Sequence, residues 1–263
     1  MKYKLTKNTK EVNDITLYQI QSLKDFGNVK NGDLGGWIKK ESNLSQDGNA
    51  WVFDNAWVFG DALVFDNAWV FGDAWIYDDA RVFGNAKVYG DAWVFGDALV
   101  SGNAWVYDDA RVYGNARVFG NAKVYGDAKV YGDARVSGDA WVYDDAWVSG
   151  DAWVYDDARV YGNAKVYGDA WVSGDAWVYD DAGVYGNARV YGNAWQTSPL
   201  YIQGTKHSLT NSKHGYITIG CKTETFDWWL SEEAEKFAKE YGYSYGDIQE
   251  YKEYINFIKK IGF

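Results

Sequence analysis

Residues 48–53, Gly48-Asn49-Ala50-Trp51-Val52-Phe53, carry the pattern that decides the fold. The same six-residue unit is Gly or Asp, Asn or Asp, Ala, any residue, Val, and then an aromatic residue or Ser. It recurs 24 times without a gap as far as Tyr191, and a partial copy, Gly192 to Trp195, follows. A short fixed period over half of a chain indicates a solenoid, in which each unit packs only on its neighbours.

Alternation inside the unit separates inward from outward side chains. Ala and Val stand two residues apart, so they point to one face of a short strand, and the variable and aromatic residues point to the other face. The Gly, Asn and Asp that follow tolerate the left-handed backbone of a tight bend. The pattern therefore predicts strands joined by corners with Ala and Val inside, but the period alone does not give the number of sides per coil.

The repeated Val-Tyr-Gly-Asn-Ala-x pattern resembles that of the hexapeptide-repeat, or isoleucine-patch, family. The resemblance implies an all-β solenoid that is a left-handed, three-sided parallel β-helix. Three units per coil would give 18 residues per turn and eight regular coils. At about 4.8 Å per coil the helix would be roughly 38 Å tall. The near-identical repeats also look like hexapeptide-repeat proteins of phages and prophages.

The flanking segments lack the repeat. Residues 1–47 contain strand-like Tyr3-Lys4-Leu5 and Leu17-Tyr18-Gln19-Ile20, and Ile38 and Leu44 stand six apart, as in an imperfect coil. We interpret this segment as an N-terminal β cap, because the open edge of a solenoid invites pairing with other chains. After the repeat region, 48–195, a β-rich connection is expected over 196–225.

Residues 226–263 show helical periodicity. One helix is predicted from Phe226 to Gly242 and a second from Asp247 to Lys260. We expect this helical hairpin to close the last coil. The alternative is that Trp228 and Trp229 are exposed and bind a partner.

Acidic charge is concentrated in the repeats. The chain of 263 residues has a net charge of −11, and residues 48–195 hold 22 Asp, no Glu and 10 Lys or Arg, a net charge of −12. Such a surface repels nucleic-acid phosphate and anionic membrane and attracts basic surfaces. We therefore expect no direct nucleic-acid or membrane partner, and a basic or nucleic-acid-binding protein as a possible partner.

The aromatic, apolar and cysteine content excludes several classes of protein. The 15 Trp, 22 Tyr and 12 Phe are too many for a disordered acidic chain, and no run of 18 apolar residues exists. We expect a soluble, cytoplasmic protein, located in the host cytoplasm if it is phage-encoded. A lone cysteine, Cys221, fits a reducing compartment.

Candidate catalytic residues are few. In the acyltransferases of the family that the repeat resembles, a histidine acts as general base, and in its carbonic anhydrases three histidines hold zinc. Residues 48–195 contain no histidine, and His207 and His214 lie beyond them. Two histidines cannot supply a three-histidine zinc site, and a His207–Cys221 base and nucleophile would lack a third orienting residue. We predict no enzyme activity, no metal and no cofactor.

One side of the coil is predicted to be aromatic throughout. When every third unit is aligned, the second outward position forms what we call the aromatic ladder: Phe53, Phe71, Tyr89, Tyr107, Tyr125, Tyr143, Tyr161 and Tyr179. The first outward position on this side alternates cations with tryptophans that include Trp105 and Trp141. The rings can simply stabilise one another by stacking, or they can form an interface for a second copy or a partner.

One corner is predicted to be strongly acidic. The corner that leads into the second side forms what we call the acidic stripe: Asp54, Asp73, Asp91, Asp108, Asp109, Asp127, Asp144, Asp145, Asp180 and Asp181. Asp is a common bend residue, which could account for the stripe. Asn would serve the bend equally well, and at the corner before the first side five successive coils carry Asn49, Asn67, Asn85, Asn103 and Asn121.

Three functions are compatible with these features. The favoured one is a non-catalytic solenoid, such as a phage counter-defence inhibitor, that binds or mimics a macromolecule through the acidic stripe and the aromatic ladder. The second is a structural solenoid that forms dimers or trimers through its flat sides. The third, a divergent acyltransferase, fits the residues least.

Overall fold

A computed structural model describes residues 1–191, 194–195, 200–213 and 215–261. Within these ranges the repeats form a three-sided parallel solenoid of about nine turns. Two residues of the partial copy, Gly192 and Asn193, and the candidate residue His214 lie outside the described residues. The predicted fold class, a β-solenoid with a β-rich N-terminus and C-terminal helices, is confirmed.

The coils stack in a register of 18 residues. Lys87 pairs in parallel with Trp105, and Trp105 pairs with Lys123 on the next coil. Along this ladder the Trp105 N–H donates to the Ala122 carbonyl at 2.9 Å. Three units of six residues therefore make one turn, as the family resemblance implied.

Each unit contributes one short strand to one of three sides. The strands of side 1 are Trp51–Val52, Trp69–Val70, Lys87–Val88, Trp105–Val106, Lys123–Val124, Trp141–Val142, Arg159–Val160, Trp177–Val178 and Ala194–Trp195. Those of side 2 are Trp57–Val58, Trp75–Ile76, Trp93–Val94, Arg111–Val112, Lys129–Val130, Trp147–Val148, Lys165–Val166 and Gly183–Val184. Those of side 3 are Leu63–Val64, Arg81–Val82, Leu99–Val100, Arg117–Val118, Arg135–Val136, Trp153–Val154, Trp171–Ser173 and Arg189–Tyr191.

Ala and Val fill the centre of the solenoid. From Ala50 to Val190 every Ala and Val of the repeat, and Ile76, is no more than 1% exposed. Val suits the flat part of each side because its branched Cβ favours extended backbone, and Ala fits beside the corner where little space remains. The predicted inward positions are therefore confirmed.

The corners explain why the unit needs Gly or Asp at its first position. This residue adopts a left-handed backbone in each unit, with φ near +67° at Gly102 and +56° at Asp108, for example. A side chain at Gly102 would place its Cβ 3.0 Å from the backbone of Gly120 on the next coil. Gly is free of this crowding, and Asp is one of the few other residues that tolerate the left-handed region.

The N-terminal segment pairs with the first coil. Its strands, Tyr3–Val12, Ile15–Ser22 and Leu34–Ile38, form an antiparallel meander, and a short 3₁₀ helix spans Glu41–Asn43. Ile38 pairs in parallel with Val58, and an isolated bridge joins Leu44 to Val64. The two predicted members of an imperfect coil thus occupy sides 2 and 3, in a turn two residues longer than the regular 18.

The cap buries one residue that the repeat pattern placed outward. Trp51 is fully buried, because Tyr3 and Phe26 of the cap pack edge-on against its ring, at centroid distances of 6.0 and 5.3 Å. Beside it Lys2 is also buried and donates from Nζ to the carbonyl of Ala50 at 2.8 Å. Burial lowers the pKa of Lys2 to about 8. The periodic assignment fails at Trp51 because the first coil lacks a preceding regular coil and is covered by the meander instead.

The C-terminal segment is a small α/β unit. Four antiparallel strands, Tyr201–Gln203, Ser208–Lys213, Tyr216–Ile219 and Lys222–Thr225, precede three helices: α1 (Phe226–Trp229), α2 (Glu232–Glu240) and α3 (Tyr245–Ile261). The first predicted helix is divided in two, because the Ser231 hydroxyl accepts from the Ala234 N–H and starts a new helix. No helix among the described residues is long and apolar enough to cross a membrane.

The expectation that the hairpin closes the last coil is wrong in detail. The strand Ser208–Lys213 contacts the last strand of side 3, whereas the helices pack on the C-terminal sheet and share a separate core with it. Trp229 belongs to that core and donates from its indole N–H to the Ile217 carbonyl at 2.8 Å. The alternative of an exposed Trp229 is therefore wrong as well, and Trp228 is half-buried.

A buried charge in the middle coils tests the inward assignment. Replacing the fully buried Val124 by Asp should cost several kcal/mol of unfolding free energy, because the carboxylate would find no partner inside the solenoid. Urea or thermal unfolding followed by circular dichroism measures the loss. The matched control is Lys123→Asp at the outward neighbour, with an expected cost of about 1 kcal/mol from the lost cation–π contacts. Equal stability of Val124→Asp and the parent would contradict the assignment.

Candidate interaction surface and apolar cavity

The aromatic ladder is a continuous stack of rings on side 1. From Phe71 to Tyr179, neighbouring rings lie nearly parallel, with centroids 4.6 to 5.2 Å apart. Phe53, the first member, instead packs edge-on against Trp51 and Trp69. The stack leaves these rings half-buried, so that they present edges rather than faces outward. Stacking alone therefore supplies a stabilising role for the ladder.

Cations and tryptophans alternate beside the ladder. The Lys123 ammonium lies 5.4 Å from the ring centre of Trp105 and 4.6 Å from that of Trp141. The Arg159 guanidinium lies 4.9 Å from Trp141 and 4.9 Å from Trp177. Each contact contributes roughly 0.5 to 1 kcal/mol at an exposed site. The candidate interface residues Trp105 and Trp141 are thus held between cations on neighbouring coils.

Opposite charges are kept apart on the solenoid. The Lys and Arg side chains of the repeats all stand at first outward positions on the flat sides, where tryptophans neighbour many of them. The aspartates all stand at the corners. Among the described residues no Lys or Arg of the repeats forms an ion pair with an Asp. At a corner of the described repeats, an ion pair is formed instead from outside them, between Lys40 and Asp61.

The structure divides the acidic stripe into two sets. The turn aspartates occupy the first corner position with left-handed backbone: Asp54, Asp108, Asp144 and Asp180. Two of their carboxylates also accept from the next coil, Asp54 from the Gly72 N–H at 3.2 Å and Asp144 from the Gly162 N–H at 3.4 Å. Turn chemistry accounts for this set.

Turn chemistry accounts for Asn or Asp in the second set, but it does not account for the choice of Asp over Asn. The outer aspartates occupy the second corner position without left-handed backbone: Asp73, Asp91, Asp109, Asp127, Asp145 and Asp181. The first five follow one another on five successive coils, about 4.8 Å apart, and all are exposed. Within the described residues these five have no ion-pair or hydrogen-bond partner, whereas Asp181 accepts from Asn163 at 3.2 Å.

At the corner before side 1, the second corner position carries Asn side chains that bond to one another along the column. There Asn49, Asn67, Asn85 and Asn103 each donate to the side chain above, with N to O distances of 3.0 to 3.3 Å. The last amide of the series, Asn121, donates to Asp139. A column of Asn is therefore self-satisfying at this position, whereas a column of Asp repels itself.

A groove runs along the acidic stripe on side 2, and sequence analysis missed it. One wall is formed by Asp73, Asp91 and Asp109. The other is the tryptophan column, Trp57, Trp75 and Trp93, whose rings stack at 4.6 and 5.2 Å. Aligning the first outward position of side 2 would have revealed the column, but its nearness to the carboxylates depends on the corner geometry.

The predicted surface residues are thus brought together along one edge. The acidic stripe lies between the aromatic ladder of side 1 and the tryptophan column of side 2, because each corner directly follows a ladder residue, as Asp108 and Asp109 follow Tyr107. The combination is a long strip of carboxylates with ring edges on both flanks.

The two other candidate residues line a cavity in the C-terminal unit. His207 and Cys221 both border an apolar cavity of about 130 Å³ between α2, α3 and the last hairpin. His207 Nδ1 is hydrogen-bonded to the Tyr243 hydroxyl. The sequence did not indicate this partner. Burial raises the pKa of Tyr243. In the described ranges no group of three or more His, Cys, Asp or Glu residues could hold a metal ion.

The coil geometry and the six-residue unit together define a hexapeptide-repeat β-helix protein. Four segments, residues 110–126, 128–144, 158–174 and 182–196, match the family model described as the YdcK Beta solenoid repeat. A 51-residue stretch is 45% identical to a protein of Escherichia coli (strain K12) named "Uncharacterized acetyltransferase YdcK". That match covers 19% of this chain and only 16% of the relative.

A solved structure of Francisella novicida UDP-N-acetylglucosamine acyltransferase is also similar. It is 13% identical, with 82% of this chain and 77% of that chain covered, at a TM-score of 0.31. A TM-score this low supports no argument about the present chain.

The contrast between the two corners leads to a stability prediction. Replacing Asp91, Asp109 and Asp127 by Asn should raise Tm by roughly 2 to 6 °C, because repulsion is removed and amides can bond along the column. The reverse change, Asn85, Asn103 and Asn121 to Asp, should lower Tm. Both shifts should shrink in 1 M salt, where the Debye length is about 3 Å. A lower Tm for the Asn variant would contradict this account of the outer aspartates.

The aromatic ladder predicts loss of stability in alkali. Burial raises the pKa of Tyr143 to about 12, and likewise raises the pKa of Tyr107 and Tyr125. Because the folded pKa exceeds the unfolded value near 10, the stabilisation is complete below pH 10 and is lost as the pH rises through 12. Tm measured from pH 9 to 11.5 should fall, and it should fall less when all three are replaced by Phe. If Tm fell with pH equally in the parent and in the Phe variant, the prediction would be contradicted.

Proposed function

We propose that the protein is a non-catalytic binding solenoid whose acidic stripe recognises a basic protein surface. The observation that carries the proposal is the row of five unpaired outer aspartates from Asp73 to Asp145. At a matching corner position Asn forms a hydrogen-bonded ladder, so the carboxylates give up stability that the fold could have had. Retaining a destabilising surface is typical of a functional site.

The flanking rings fit the same kind of partner. Long Lys and Arg side chains can lay their aliphatic stems on the tryptophan column while their charged ends meet the carboxylates of the groove. Arginine also interacts favourably with aromatic rings. A basic protein surface is therefore favoured over nucleic acid, whose phosphates the stripe would repel.

We also propose, as a separate point, that copies of the chain associate through side 1. The aromatic ladder is unbroken on side 1, whereas Ser149 interrupts side 2 and Ser101, Ser137 and Ser173 interrupt side 3. A flat, uniform side is the most suitable surface for a second or third copy of the chain. Such an assembly would leave the acidic stripe along its edge.

The proposal assigns no chemical step to the solenoid. The histidines, general bases in the acyltransferases that the repeat resembles, lie at 207 and 214, outside the repeats. The relative named as an acetyltransferase aligns with this chain over 51 residues, 16% of its own length. Turnover of an acyl-CoA that disappears in His207→Ala would contradict the non-catalytic part of the proposal.

Pull-down from a host lysate, read by mass spectrometry at 50 and 500 mM salt, tests the binding function. We expect the parent to retain basic proteins at low salt and to release them at high salt, because exposed charges are screened. The Asp91, Asp109 and Asp127 to Asn variant should retain them poorly and, with a purified partner, should bind mainly with a slower on-rate.

The matched control changes the same charge at another corner. Asp97, Asp133 and Asp151, which stand at the second position of the corner before side 3, are replaced by Asn. This variant should retain the same basic proteins as the parent. If both variants lost binding equally, net charge alone would explain capture. If neither lost it, the acidic stripe would not be the binding surface.

A further inference from the structure

The C-terminal unit contains a cavity that the proposed function does not use. Its walls come from all three helices and from the hairpin of the strands Tyr216–Ile219 and Lys222–Thr225. The apolar lining includes Ile219, Trp229, Phe237, Ile248 and Ile255. Its volume of about 130 Å³ compares with about 150 Å³ for an apolar cavity that holds benzene. A mostly apolar pocket with a few polar groups is the usual form of a ligand site.

Most polar atoms at the wall are already occupied. The Tyr251 hydroxyl accepts from the Lys206 and His207 N–H groups and donates to the His207 carbonyl. The Trp229 indole N–H donates to Ile217, and Lys252 pairs with Glu235. Tyr251 and Trp229 thus have no hydrogen left for a ligand. The ammonium groups of Lys252 and of Lys222, which donates to Glu224 at 3.0 Å, keep further hydrogens.

The pair of His207 and Tyr243 supplies an uncharged donor at the wall. If the Tyr243 hydroxyl donates to His207 Nδ1, the ring keeps its proton on Nε2 as a donor. If Nδ1 carries the proton and donates to the Tyr243 oxygen, the phenol hydrogen remains as the donor. With a neutral histidine either arrangement leaves one hydrogen for a third group. Both residues line the cavity, and His207 is also exposed to solvent, so this donor stands where the cavity opens.

We propose that this cavity binds a small ring compound, about the size of benzene, that carries one hydrogen-bond acceptor directed at the His207–Tyr243 pair. The apolar ring would replace water against the walls, and the acceptor would take the remaining hydrogen. The site belongs to the C-terminal unit, whose core is separate from that of the solenoid. It is independent of the acidic stripe, and failure of either proposal leaves the other intact.

Cys221 provides the measurement, because it is the single cysteine of the chain, is exposed and borders the cavity. The probes are acetophenone, which has a ring and one acceptor, and toluene, which has the ring alone. Alkylation of Cys221 in the full-length protein is followed by mass spectrometry over a millimolar range of each probe. Acetophenone should slow alkylation at a concentration roughly five- to tenfold lower than toluene, because one hydrogen bond contributes a difference of this size to binding.

Variants separate the cavity from the donor. Ala238→Phe fills the space from α2 and should abolish protection by both probes. Changing His207 to Leu and Tyr243 to Phe together removes both possible donors, and the two probes should then act at equal concentrations. Tyr254→Phe removes a hydroxyl that bonds Glu250 outside the cavity lining, and it should behave like the parent. Circular dichroism confirms that each variant is folded before it is compared.

Three results would overturn the proposal. The first is that neither probe slows alkylation of the parent up to 10 mM, about the weakest range expected for a ligand of this size. The second is equal potency of the two probes on the parent. The third is a preference for acetophenone that survives in the variant lacking both donors.

Discussion

The hydrogen-bonded stacking of each residue on the residue 18 positions later is the constraint on which the structure depends. It requires every coil to have the same length, because one extra residue would turn inward and outward side chains over on the strands that follow. The gapless six-residue period meets this requirement from Gly48 to Tyr191. The chain departs from it in the turn that contains Ile38 and Leu44, where the two additional residues lie between Leu44 and Val52, which stand eight apart instead of six.

Because of the same stacking, a residue type at one outward position is repeated on successive coils. A residue at one position of the unit meets its own kind on the coils above and below, so aromatic residues become stacked ladders and Asn becomes a chain of amide hydrogen bonds. For Asp the repetition is unfavourable, since about 4.8 Å separates successive carboxylates. Repeated outer aspartates therefore lower the stability of the regular coil. This loss of stability is the reason why we propose a binding role for the acidic stripe.

The two ends of the solenoid are finished in different ways. At the N-terminus the meander lies directly on the first coil and buries Trp51 and the lysine stem of Lys2. At the C-terminus a sheet meets the last coil, and the helices pack on that sheet around a core of their own. The second arrangement leaves room for a cavity, since its walls come from elements that do not obey the repeat.

The amino-acid sequence alone determined the solenoid. The six-residue unit identified the inward residues, the corners, the aromatic ladder and the acidic stripe, and the family resemblance supplied the three sides. This success has a local cause, because in a solenoid each unit contacts only units at fixed sequence distances. The helix predicted from Asp247 to Lys260 was likewise found, as α3, and its buried side chains Ile248, Tyr251, Ile255 and Ile258 follow the local spacing of a helix.

Only the tertiary structure decided the features that join distant segments. Burial of Trp51 depends on Tyr3 and Phe26, which stand outside the period. The cavity brings His207 beside Tyr243, 36 residues later, through a sheet and two helices. No periodicity in a sequence encodes such a contact, because it results from how whole elements pack.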